Sequence, residues 1–221
     1  MTDERTHVKG YMIGIIEITI FTIVTGLIRE KYTHLKEIDI LLYFWLALTI
    51  LTGIWEVSFI GDYVNVNKIS KRFIAEREHV WNKEYTLDYL LPNKLSKIFY
   101  AEYGAWADRE YMTIKNRWSR IIEGTHAALC GSISFYCLVN GLKENKSRFL
   151  VFSSVAMGSQ LMNSILYMSQ YFIQSKTVGS VNYDSPNFPT GKYLIGRPFM
   201  YVNIFWTLMP SYAIYALLNI N

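Results

Sequence analysis

Charge is what this 221-residue sequence has least of: Asp, Glu, Lys and Arg together make up 18%, against about 25% in an average soluble domain. The deficit is uneven. No charged residue falls between Phe149 and Ser175, or between Pro198 and Asn221. Each stretch is as long as the roughly 20 apolar residues a helix needs to cross a bilayer core. A water-soluble fold of this size has no use for two such runs. With 51% hydrophobic residues and a mean hydropathy of +0.13, the chain reads as a polytopic membrane protein, and the disordered and fibrous classes are excluded. Cysteine is scarce as well. Cys130 and Cys137 lie in one apolar segment, which rules out a disulfide framework or a zinc site. The net charge of +4 is scattered through loops, so nucleic-acid binding is not expected. The apolar run after Gly10 lacks a small-residue cleavage motif, so the first span is expected to stay in the mature chain. No internal repeat or low-complexity tract is present.

Five helical spans are expected, at about 11–28, 40–61, 121–142, 149–172 and 199–218, in a single all-α membrane domain over 1–221 that encloses a lipid-accessible pocket. Barrel strands would be about half as long and would alternate in polarity. Two connecting segments are long. Asp62–Ser119 carries nine aromatic residues between Trp81 and Trp118, and its Trp81–Met112 stretch reads as interfacial helices with Tyr and Trp at headgroup depth. Ser175–Arg197 holds Pro186, Pro189, Gly179, Gly191 and Gly196 and reads as an irregular cover for a cavity mouth. Lys and Arg number 16 on the side of the N-terminus and the long loop and 6 on the other, out of 22. The positive-inside bias then favours a cytosolic N-terminus.

The remaining signal is polar residues at membrane depth, which mark functional sites because they are costly there. Glu17, Glu56 and Glu123 are the carboxylates. His126 follows Glu123 by three residues, which places both on one helical face. Glu56 has Trp55 beside it and Thr52 one turn earlier. Gln160, Asn163 and Tyr167 repeat at helical spacing, as do Asn203 and Trp206. Four inward stripes would line one pocket. The bland readings are a snorkelling Glu17, helix–helix hydrogen bonding by the Gln160–Asn163–Tyr167 stripe and plain packing by Trp206. His7, His34 and His79 fall in tails or loops and carry no signal. Asn145-Lys146-Ser147 matches a glycosylation sequon near a helix end. A carboxyl kept protonated by burial, a second carboxylate as base and an indole beside a cation suit acid-driven isomerisation or cyclisation of an apolar alkene. Lipophilic amines would mimic the cation and inhibit.

The same residues resemble a known family. Glu102-Tyr103 followed by Asp108-Arg109-Glu110-Tyr111, then Ile122-Glu123-Gly124-Thr125-His126-Ala127-Ala128-Leu129, then Gln160 with Leu166-Tyr167, then Asn203-Ile204-Phe205-Trp206 with Pro210 are similar in order and spacing to the emopamil-binding-protein family. These are the sterol Δ8–Δ7 isomerases of the EXPERA group, and the likeness runs from Thr52, with the EXPERA-like region at about 40–218. The resemblance implies a multi-pass enzyme of the endoplasmic reticulum membrane that needs no metal or redox cofactor. Its substrate would be a sterol or related polycyclic terpenoid, its environment membrane lipid, and a homodimer stays open. It implies a catalytic set of Glu56, Glu123, His126 and Asp108. The substrate-binding set would be Thr52, Trp55, Tyr111, Gln160, Asn163, Tyr167, Asn203 and Trp206. Two positions depart from the family: Thr52 stands where the isomerases have His, and His126 where they have Thr. The imidazole has moved to the facing helix, and the Ser175–Arg197 loop is longer. The resemblance also implies a lumenal N-terminus, opposite to the charge count. Rival readings are a terpenoid cyclase or isomerase of specialised metabolism, acting on an alkene or epoxide, and a non-catalytic sterol- or amine-binding EXPERA protein. A small transporter is disfavoured by the absence of repeated halves.

Overall fold

The computed structural model describes residues 6–108, 117–180 and 200–220, the side chains of 117–119 and 142–144 excepted. Tyr111 and most of the 175–197 loop, both named above, lie outside the described residues. Among the described residues the fold is all-α apart from one small β-ribbon. The order is β1 (His7–Lys9), α1 (Gly10–Lys31), α2 (Thr33–Lys36), α3 (Ile40–Gly61), α4 (Tyr63–Glu76), β2 (Glu84–Thr86), α5 (Pro92–Trp106), α6 (Arg117–Glu144), α7 (Lys146–Gln174) and α8 (Tyr201–Leu218). Two single 3-10 turns, Val80–Asn82 and Leu87–Leu90, flank β2.

Local chemistry sets most of these boundaries. The Asp39 side chain accepts a hydrogen bond from Leu42 N at 2.9 Å and so starts α3, the arrangement that satisfies an orphan N–H at a helix N-terminus. Asn145 starts α7 in the same way, accepting from Arg148 N at 2.9 Å; the sequon asparagine is thus a helix cap. Pro92 opens α5, where its missing N–H costs nothing. Within α6 the helix breaks at Gly141, whose φ is 55°. A Cβ there would collide with the His34 ring, so glycine is required both by the backbone and by the packed imidazole.

Three helices, α1, α3 and α7, are long and apolar enough to cross a membrane. A 22-residue helix such as α1 or α3 reaches about 33 Å, enough for a bilayer core of about 30 Å. α1 turns its apolar side chains outward, with Ile18 68% and Leu27 66% exposed, which suits lipid and not water. Helices also stand at the expected third and fifth spans, α6 and α8.

α3 and α6 pack closely against each other. At Gly53 an added Cβ would lie 2.9 Å from the Ala127 carbonyl oxygen and 3.3 Å from Gly131 Cα. Small residues let helix backbones approach this closely, the usual solution where lipid gives no hydrophobic drive. The crossing fixes Thr52 and Glu56 on α3 against Glu123 and His126 on α6. Buried apolar side chains gather in two clusters. One joins Ile13, Phe59, Val66, Phe73, Ile98 and Trp106, around α4, α5 and the start of α1. The other joins Leu35, Leu42, Leu46, Cys137, Met157 and Ala213, around α2 and the α3, α6, α7 and α8 segments near it.

The ribbon pairs His7 with Thr86, Val8 with Tyr85 and Lys9 with Glu84, antiparallel. The N-terminal segment and the long connection therefore lie at the same end, as the grouping used for the charge count requires. The aromatic stretch behaves differently from the sequence expectation. Phe99, Tyr100 and Tyr103 do not form an outward interfacial face; they turn inward to line a cavity. The reason is packing: Ile98, Ala101 and Ala105 of α5 are buried at 3%, 0% and 0% exposure, and small alanines draw α5 against its neighbours.

Candidate functional site

Between the two apolar clusters lies a cavity of about 360 Å3, within the size range of small-molecule sites. Its walls come from α3, α5, α6, α7 and α8, and Ile18 of α1 forms part of the rim. Of the residues expected from sequence, Glu56, Glu123, His126, Thr52, Trp55, Gln160, Asn163, Tyr167, Asn203 and Trp206 all line it. Asp108 does not. It follows α5, is 2% exposed, and is linked to the cavity wall by Tyr167, whose hydroxyl donates to Asp108 Oδ2 at 2.5 Å. Tyr111 lies outside the described residues.

The two cavity carboxylates are held from different sides. Asn163 Nδ2 on α7 donates to Glu123 Oε2 at 2.9 Å. The Tyr100 hydroxyl on α5 donates to Glu56 Oε2. Burial and the neighbouring Glu56 charge hold the Tyr100 phenol well above its usual ionisation range, so it stays a donor. The expectation that Glu123 and His126 act as one unit is not met by a direct bond. His126 Nε2 sits 3.4 Å from Cys130 Sγ, and no ion pair joins it to Glu123 among the described residues. Helical spacing brings both side chains to the cavity, where Glu123 is held by Asn163 of α7 and His126 by Cys130 of its own helix.

The uncharged stripe splits into two roles. Gln160, 4% exposed, accepts from Trp45 Nε1 at 3.0 Å and donates to Thr49 Oγ1 at 3.0 Å, so its amide ties α7 to α3. Thr52 returns its hydroxyl to the Leu48 carbonyl at 2.9 Å. Ser164 bonds Thr207 at 2.6 Å and locks α7 to α8. Trp206 packs edge-on against Trp45, with ring centres 5.1 Å apart. The Trp55 indole N–H is buried without a hydrogen-bond partner among the described residues. A buried donor left unmade costs about 1–3 kcal/mol, so an oxygen acceptor on a ligand would be welcome there.

Tyr100 and Tyr103 were missed as site residues, because nothing in a mixed polar helix such as α5 announces which aromatic faces inward. Glu102, in the same run, has a separate role. At 3% exposure it accepts from Val80 N at 2.9 Å and pairs with His79 Nδ1 at 2.7 Å, and the His79 ring stacks on Trp106 at 4.6 Å. His79, read as carrying no signal, is thus the partner of a buried carboxylate. Glu17 is 9% exposed and makes no hydrogen bond or ion pair among the described residues, so it is withdrawn from water and does not reach an outer edge of α1. No group of three or more His, Cys, Asp or Glu converges as a metal site among the described residues.

No family model, no curated protein and no solved structure matches the chain.

Proposed function

We propose that the protein is a membrane-embedded double-bond isomerase of the emopamil-binding-protein type, acting on a sterol or related polycyclic terpenoid. The observation that carries this reading is the pair of carboxylates, Glu56 on α3 and Glu123 on α6, placed on one cavity together with Trp55 and Trp206. An alkene shift needs one carboxyl to give a proton and one carboxylate to take a proton from a nearby carbon. An aromatic face lowers the cost of the carbocation between these steps. Asn163 would orient Glu123, and Tyr100 would orient Glu56. The Trp55 N–H would bind a substrate oxygen. The exchange of His and Thr between Thr52 and His126 keeps an imidazole on the same cavity, because the Gly53–Ala127 crossing lies beside both positions.

In this reading α6 and α8 cross the membrane with the three apolar helices, which gives five spans around a cavity that lipid-soluble substrates enter past Ile18. The endoplasmic reticulum is the expected compartment, and lipophilic amines are expected inhibitors. The test is expression in a yeast strain lacking its own Δ8–Δ7 isomerase, with sterols quantified by mass spectrometry. Δ7 sterols support the proposal. Persistent Δ8 sterols, with the protein present in the membrane, overturn the sterol assignment.

A further inference from the structure

A proton shift through two different carboxylates leaves a residue of work. In each turnover the O–H bond of the acid breaks as a C–H bond forms on the alkene carbon. A C–H bond elsewhere then breaks, its electron pair becomes the new double bond, and its proton goes to the base. The substrate is only isomerised, but the acid ends deprotonated and the base protonated. Both must be reset before the next cycle.

The structure contains a chain of donors suited to that task. Asn203 Nδ2 donates to the Tyr103 hydroxyl at 3.0 Å. The Tyr103 and Tyr167 hydroxyls are hydrogen-bonded to each other, and Tyr167 donates to Asp108 Oδ2 at 2.5 Å. Since Tyr167 spends its proton on Asp108, it accepts from Tyr103. Asn203 occupies one lone pair of the Tyr103 oxygen, which leaves the Tyr103 O–H for Tyr167. Met200 Sδ, 3.4 Å from the Tyr103 oxygen, is the weaker alternative acceptor. Every bond in the series runs one way, from the cavity wall to a carboxylate. Asn203, Tyr103 and Tyr167 line the cavity, whereas Asp108 is buried and outside it. Burial and the Asp108 charge hold the Tyr103 phenol well above its usual ionisation range, so it passes protons without being left as a phenolate.

We infer that Asp108 is a positioning and proton-storing residue that exchanges protons with the cavity through the hydroxyls of Tyr167 and Tyr103, resetting the site between turnovers without touching the substrate. A proton arriving at Tyr103 is passed on as the Tyr103 proton moves to Tyr167 and the Tyr167 proton to Asp108; the reverse series returns it. Water entering after product release closes the gap from Tyr103 to Glu56 and Glu123. The inference takes its purpose from the isomerase reading, but the relay itself is testable without substrate.

Asp108→Asn keeps an oxygen that can accept from Tyr167 but cannot take its proton. In lipid nanodiscs, with tyrosines carrying carbon-13 at Cζ, hydroxyl hydrogen–deuterium exchange is read residue by residue from the isotope shift. The expected result is exchange at Tyr103 and Tyr167 slowed about tenfold or more by Asp108→Asn, with Tyr100 unchanged. Equal rates in variant and wild type, or equal slowing at Tyr100, overturn the relay. Tyr167→Phe, which cuts the chain and leaves Asp108 in place, should slow Tyr103 alike and serves if the first variant does not fold. With substrate, rapid mixing of Asp108→Asn, a position outside the cavity lining, should show a first turnover at the wild-type rate, then kcat lower by about tenfold at unchanged KM. A slowed first turnover overturns the resetting role. If the wild type isomerises nothing, the functional reading falls while the exchange rates still decide the relay.

Discussion

Glu102, buried, and Glu123, half-buried, are both acidic side chains held by hydrogen bonds, and they have opposite surroundings. Glu102 sits among the α4–α5 layer with Val80 N on one oxygen and His79 on the other. Glu123 faces a cavity, with Asn163 donating to one oxygen. A carboxylate whose oxygens are both engaged by its own fold is held for stability. A carboxylate that presents part of itself to open space is held for something that enters.

The sharpest way to break this contrast is Glu123→Gln, which keeps the shape and the Asn163 contact but removes the proton. Turnover should fall by about 10²–10⁴-fold, the usual worth of a positioned acid or base. The melting temperature of the purified protein should stay within a few degrees of wild type. Full activity in that variant would erase the distinction. Next in size is Gly53→Ala. Its Cβ would press on the Ala127 carbonyl oxygen, and overpacking of this kind costs about 1–3 kcal/mol. Thermal unfolding should drop accordingly, and KM should rise because Glu56 and Glu123 no longer keep their spacing. Glu102→Ala should cost about 1–3 kcal/mol as well, through the orphaned Val80 N–H. Activity per folded molecule should be preserved, measured by ligand-protected active-site titration against total folded protein.

The smallest effect is a pH slope. Burial raises the Glu102 carboxyl above the usual carboxylate range, against the opposing pull of Val80 N–H and His79. A raised acid holds its proton more tightly when folded than when unfolded. The stability it contributes is therefore complete below the ordinary carboxylate value, about pH 4, and fades as pH rises through the raised one. Glu102→Gln should flatten that part of the melting-temperature profile. An unchanged profile would remove Glu102 as its cause.

The parts legible in the sequence are those that depend on a single segment. Long apolar runs mark α1, α3 and α7, and the uncharged Pro198–Asn221 run contains α8. Polar residues at helical spacing, such as Gln160, Asn163 and Tyr167, point to a common face that the cavity does contain. What was not legible depends on two distant segments meeting. No local pattern pairs Val8 with Tyr85, His79 with Glu102 or Tyr103 with Tyr167. α5 was misread for the same reason. Its mixture of Lys, Tyr and Ala suits a membrane surface by composition, and only the alanines packed against neighbouring helices turn its aromatic side inward. Helix–helix hydrogen bonding by Gln160 is legible in its stripe, but its partners Trp45 and Thr49 are not.

The β1–β2 ribbon has a consequence for how the chain is made. Lys9 cannot meet Glu84 until the intervening segment, with α1 and α3 inside it, has left the ribosome. At about 5–20 residues per second that is a wait of several seconds or more. During it α1 has no anchor at its leading end. It is the most apolar of the three candidate spans and the least buried by the rest of the fold. The outward isoleucines of α1 thus serve the nascent chain before they serve the finished one, and the ribbon acts as a late clasp that fastens a helix already in place.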